Sequence, residues 1–137
     1  MANLFLPAVS ENLHLSNMLG KTTPNNIVLK LYVTNTTLAA ADTAASYTEM
    51  STMGYAAKTL TAASWTVAQT GAAVAGASYA DQVFTFTGGT LVTVYGYFLV
   101  DSSSGVLLGS ALLDTPIPIQ NNGDTITVSP RITLAHV

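Results

Sequence analysis

The chain has 137 residues, 49% of them hydrophobic and only 8% charged, with a formal net charge of -3 and no cysteine. That length fits one domain, with a core large enough to stand without disulfides or a metal. Lacking cysteine, it has no thiolate metal or redox site, and its four cations, Lys21, Lys30, Lys58 and Arg131, are too scattered to form a phosphate-binding patch. No nucleic-acid partner is expected.

So few charges is unusual for a freely solvated surface. The composition predicts a surface largely covered by a partner; the alternative is a coat of Thr, Ser and Asn. Mean hydropathy is +0.42, yet no membrane partner is expected. The uncharged run 59–80 contains Ser64, Gln69, Gly71, Gly76 and Ser78, and the run 82–100 is broken by Gly88-Gly89. Neither is the apolar stretch of about 20 residues that a spanning helix needs.

In chain order, residues 1–25 read as an N-terminal arm. The first nine residues lack a basic leader and are interrupted by Pro7, so they are not expected to be a signal peptide. Ser10 and Glu11 can open a short helical turn carrying Leu13, Leu15, Met18 and Leu19 before Gly20. The arm concentrates apolar side chains: Leu4, Phe5, Leu6, Leu13, Leu15, Met18 and Leu19 are the candidate partner-binding residues. They either fold back onto the domain or dock on a neighbour. In the second case the arm is mobile in the free chain and orders on assembly.

Residues 26–137 read as the β domain. Over 27–34, Ile27, Leu29, Leu31 and Val33 alternate with Val28, Lys30, Tyr32 and Thr34, the period of a strand. The Ala/Thr-rich segment 35–53 reads as a loop, with 39–45 as a possible brief helix. Short strands are predicted at 55–61, 64–69, 80–87, 106–113 and 116–120, and a central strand, apolar on both faces, at 91–100. Gly96 between Tyr95 and Tyr97 marks a close approach or a bulge. After the turn Asn121-Asn122-Gly123-Asp124, the even positions Ile126, Val128, Pro130, Ile132, Leu134 and His136 form one face of a last strand. Pro130 marks an edge or bulge within it. Ile126, Val128, Ile132 and Leu134 are expected in the core with Leu29, Leu31, Trp65, Phe84 and Phe86. The fold class is all-β: a single antiparallel β-sandwich of seven or eight strands, jelly-roll or immunoglobulin-like, with an extended N-terminal arm.

Catalytic chemistry is sparse. His14 and His136 lie at opposite ends of the chain, and no G-x-S-x-G elbow is present. Asp101, Asp114 and Asp124 flank turns, where aspartate is more often a turn former than a Ca²⁺ ligand. Six tyrosines leave a sugar-binding module open as an alternative. The expectation is no enzyme, no metal and no cofactor.

Tyr47-Thr48-Glu49, Gly54-Tyr55-Ala56-Ala57-Lys58-Thr59-Leu60, Ser64-Trp65-Thr66, Phe84-Thr85-Phe86-Thr87-Gly88, Val94-Tyr95-Gly96-Tyr97-Phe98 and Asn121-Asn122-Gly123-Asp124-Thr125-Ile126-Thr127-Val128 follow one another in that order. The series resembles small virion proteins of tailed bacteriophages, of the head-decoration or cement type, over roughly residues 27–134. These are packing and turn motifs, and the arm and the stretch 71–77 depart from the pattern. The resemblance implies a β-sandwich made in the host cytoplasm that binds the outer face of a capsid and stabilises its lattice. Its partner would be the major capsid protein, and it would itself be a homo-oligomer, trimer or dimer. A tail or fibre component is the alternative within virion proteins.

Overall fold

The structure, a computed structural model, describes residues 4–71 and 74–135. Among the described residues one α-helix, α1 (Ala8–Met18), precedes nine antiparallel strands: β1 (Ile27–Tyr32), β2 (Lys58–Leu60), β3 (Thr66–Gly71), β4 (Val74–Ser78), β5 (Gln82–Thr85), β6 (Val92–Asp101), β7 (Leu107–Ile119), β8 (Thr125–Val128) and β9 (Arg131–Ala135). They form a four-stranded sheet of order β2-β1-β6-β7, a three-stranded sheet β3-β4-β9 and a ribbon β5-β8. The fold is all-β and sandwich-like.

The four-stranded sheet is buried on both faces, as the doubly apolar run 91–100 predicts. On one face Leu29, Leu31, Leu60, Val94, Tyr97 and Leu99 pack against Phe84, Phe86, Ile126 and Val128 of the ribbon and its flanks. On the other, Tyr32, Phe98, Val100 and Leu107 are covered by Tyr47 and by the partly buried Val9, Leu38 and Ala44. Alternation along β6 therefore feeds two cores in turn. The 35–53 segment, a loop with a 3₁₀ turn only at Ala44–Ser46, supplies this second cover. It is pinned by Lys30, which meets Glu49 Oε2 at 2.8 Å, and by Tyr55, whose hydroxyl donates to Glu49 Oε1 at 3.1 Å.

Four local expectations are corrected. The runs 106–113 and 116–120 are one strand, β7, with residues 113–116 bulged out between the pairs Gly96↔Leu112 and Val94↔Ile117. The run 125–137 is two strands in two different sheets, because the chain changes partner at Ser129-Pro130: β8 pairs with β5, and β9 with β4. The alanine- and glycine-rich stretch after Gln69, which carried no strand signal, contributes β4 and raises the strand total to nine. Leu134, expected in the core, is 56% exposed, because β9 belongs to a sheet that leaves the main core beyond Ile132. His136 lies outside the described residues.

The N-terminal segment is not extended throughout. Pro7 precedes the first turn of α1 and Glu11 places a negative charge at its positive end. The helix stops at Gly20, whose φ of +70° suits a residue without a β-carbon. There the N–H of Gly20 reaches the Asn17 carbonyl and that of Lys21 the Ser16 carbonyl, at 3.1 and 2.8 Å, the Schellman closure of a helix.

Candidate interaction surface

The seven apolar arm residues fall into two groups. Phe5 forms an isolated antiparallel bridge with Ser110 on the outer edge of β7. Its N–H donates to the Ser110 carbonyl at 2.7 Å, and the Ser110 N–H returns to the Phe5 carbonyl at 2.9 Å. Leu4 packs partly buried against the main core, in the space a β-carbon at Gly109 would fill. Leu6 is partly buried, and Leu13 packs against the main core from the middle of α1. Leu4, Phe5 and Leu13 are thus held by the chain's own sandwich. Leu15, Met18 and Leu19, in contrast, are 53%, 75% and 67% exposed.

The outward group has a local cause. At helical spacing Leu15, Met18 and Leu19 lie at i, i+3 and i+4 and so share one face at the C-terminal end of α1. Leu13 lies on the turn before and points to the sandwich. The nearest charges to the exposed triplet in sequence are Glu11, one turn before Leu15, and Lys21. Three large apolar side chains on one face cost little to strip of water, as a docking surface requires.

The other chemistry-bearing residues are absorbed by the fold. Asp101 accepts from the N–H of Ser103 at 3.1 Å, and from the N–H and hydroxyl of Ser104 at 2.7 and 2.8 Å. Asn25 adds its side-chain amide. Burial opposes ionisation of Asp101, but these donors outweigh it and hold its carboxyl below the usual range. Asp124 accepts from the N–H groups of Gln120 and Asn121 at 2.9 and 2.8 Å, which lowers its carboxyl too. Both act as turn formers. Asp114 is exposed on β7, apart from these turns in sequence. No group of three His, Asp or Glu residues among those described could hold a metal ion. His14 is exposed on α1.

The tyrosines serve packing. Tyr32, Tyr47 and Tyr97 are buried, and Tyr55, Tyr79 and Tyr95 are partly buried. Tyr32, Tyr47 and Phe98 form one cluster, with centroids 4.8 Å apart for the tyrosine pair and 5.3 Å for the Tyr47–Phe98 stack. Tyr47 donates to Asp42 Oδ2 at 2.7 Å, and the Ser110 hydroxyl is 2.8 Å from the same phenol oxygen. The three rings of this cluster are buried and offer no face to solvent. Trp65 meets Tyr79 edge-on at 5.2 Å and packs only at the margin of the main core.

No protein-family model and no curated protein matches the chain. Among the described residues, no helix is long and apolar enough to cross a membrane.

Proposed function

We propose that this is a structural virion protein that binds the outer surface of a tailed-phage capsid and stabilises the lattice. The observation that carries the reading is the exposed triplet Leu15, Met18 and Leu19, at the end of a helix whose Leu13 packs against the main core and which follows the Phe5–Ser110 bridge to β7. A helix fixed to a rigid sheet presents its apolar end in a defined direction, so little ordering entropy is lost on docking. Low charge elsewhere lowers the desolvation cost of broad contact. The partner in this reading is the major capsid protein, the site of action is the capsid surface, and no catalytic step is required. The resemblance in the turn and aromatic motifs over roughly 27–134 points the same way.

The test is the protein content of purified particles of the phage that encodes the chain. A copy number near that of the capsid subunit, with loss of the protein lowering the temperature at which heads open, is the expected result. A copy number of a few per particle, localised to the tail, would overturn the capsid reading in favour of a tail or fibre component.

A further inference from the structure

Sheet edges carry unpaired N–H and C=O groups, and proteins guard them by shortness, charge, proline or a covering segment. Most edges here are guarded. β2 has three residues and opens on Lys58. β7 contains Pro116 and Pro118 and is met by Phe5 at Ser110. β9 begins with Arg131 directly after Pro130. The ribbon strands β5 and β8 have four residues each.

The strand β3 has no charge or proline, and the one register shift in its ladder, between Gln69 and Gly71, leaves Thr66–Gln69 regular. Thr66–Gly71 runs six residues without a charge or a proline at the edge of the three-stranded sheet. Thr66, Val67, Ala68, Gln69 and Gly71 are all exposed, Val67 at 75%. Among the described residues its ladder pairs with β4 alone. The sheet is also thinly supported: among its described apolar side chains only Ile132 packs against the main core. A small sheet with little of either face buried is marginal by itself.

We propose that β3 pairs antiparallel with β3 of a second copy across a two-fold axis, joining the two three-stranded sheets into one. The occupant follows from charge. In an isologous pair each strand meets its own sequence reversed, so any charge near the axis would face its like. The strand Thr-Val-Ala-Gln-Thr-Gly satisfies that condition, whereas β9 would bring Arg131 to such a pair. Val67, 75% exposed, would gain cross-strand neighbours. The pairing is a property of the free protein and does not depend on the capsid reading.

Sedimentation equilibrium on the isolated protein tests it. The wild type is expected at twice the chain mass of 14.2 kDa. Gln69 lies near the middle of β3 and is exposed, so Gln69→Lys and Gln69→Glu set like charges close across the axis. Each alone should weaken dimerisation about tenfold or more, with an unchanged circular dichroism spectrum. An equal mixture of the two should dimerise again, because the charges then oppose. Thr125→Lys on β8 should leave the dimer intact. A wild type that stays monomeric to millimolar concentration, or an oligomer unaffected by either charge at 69, would overturn the pairing.

Discussion

The ring of Tyr32 lies over Gly96 of the neighbouring strand, where any β-carbon would collide with it. The two residues are register partners in the β1–β6 ladder. The Tyr32 hydroxyl passes over the glycine to donate to the Ala111 carbonyl of β7 at 3.2 Å. One side chain thus ties three strands together on the face covered by the 35–53 loop. Gly96→Ala should therefore cost several times more than an ordinary strand glycine-to-alanine change, which is close to neutral. The phenol must move and the Ala111 carbonyl is also in the way, so a loss of about 2–4 kcal/mol is expected in urea denaturation. Tyr32→Phe keeps the ring and removes one hydrogen bond, for about 0.5–1.5 kcal/mol. Equal midpoints for the two variants would show that the glycine is not packed against the ring.

The buried phenols give an alkaline limit. Burial raises Tyr32, Tyr55 and Tyr97 above the ordinary phenol value, and it pushes Tyr47 up to about 12, with Asp42 adding to the rise. A folded-state value above the unfolded one means the stabilisation is complete below the unfolded value, near 10. It is lost as pH rises from there through the folded value. The melting temperature should hold steady up to about pH 10 and then fall, in step with tyrosinate absorbance. Tyr47→Phe should flatten the start of that fall. Early, unfolding-independent ionisation of all six tyrosines would contradict the packing.

Acid should act through the turns. Asp101 has a lowered carboxyl value, so its contribution is present above the unfolded carboxylate value, near 4, and fades as pH falls through the folded one. Asp101→Asn should lower stability at neutral pH and bring the two proteins closer together in acid. A constant gap between them across that range would rule out the turn as its source.

The last two strands separate by packing. Ile126→Ala, at 1% exposure, should cost about 2–5 kcal/mol. Leu134→Ala should stay within about 0.5 kcal/mol, as exposed positions do. Similar losses at both sites would restore the single-strand register of the sequence pattern.

The arm divides into two roles that deletion and substitution can separate. Removing residues 1–13 should destabilise the domain, since it strips the Phe5–Ser110 bridge and uncovers the space beside Gly109. Replacing Leu15, Met18 and Leu19 with serine should leave the melting temperature within a few degrees. On the proposed function, it should also abolish binding to heads lacking the protein. Retained binding by the triple variant would move the docking surface elsewhere. A stable 1–13 deletion would favour an arm that orders only on assembly.

Much of this was present in local pattern. Alternation from Ile27 to Thr34 named the two faces of β1, and the doubly apolar run at 91–100 announced a strand covered on both sides, because side-chain period depends only on backbone geometry. Gly96 signalled its close approach, and Gly20 its helix end. Partner choice was not local. Ile126 and Leu134 share one alternation, yet one is core and the other exposed, since the strands flanking Pro130 join different sheets. Nothing in residues 106–120 marked a single bulged strand. The weakly apolar Val74–Ser78 becomes a strand only because β3 and β9 flank it. The same holds for the arm: composition placed seven apolar residues there, and only the tertiary structure, with Phe5 meeting Ser110, 105 residues along, put Leu4 and Leu13 against the core and left Leu15, Met18 and Leu19 in water. Periodicity is written in neighbouring residues, whereas burial is set by which distant segment arrives, and that is decided by the competition among sheet edges and cores for the same apolar surface.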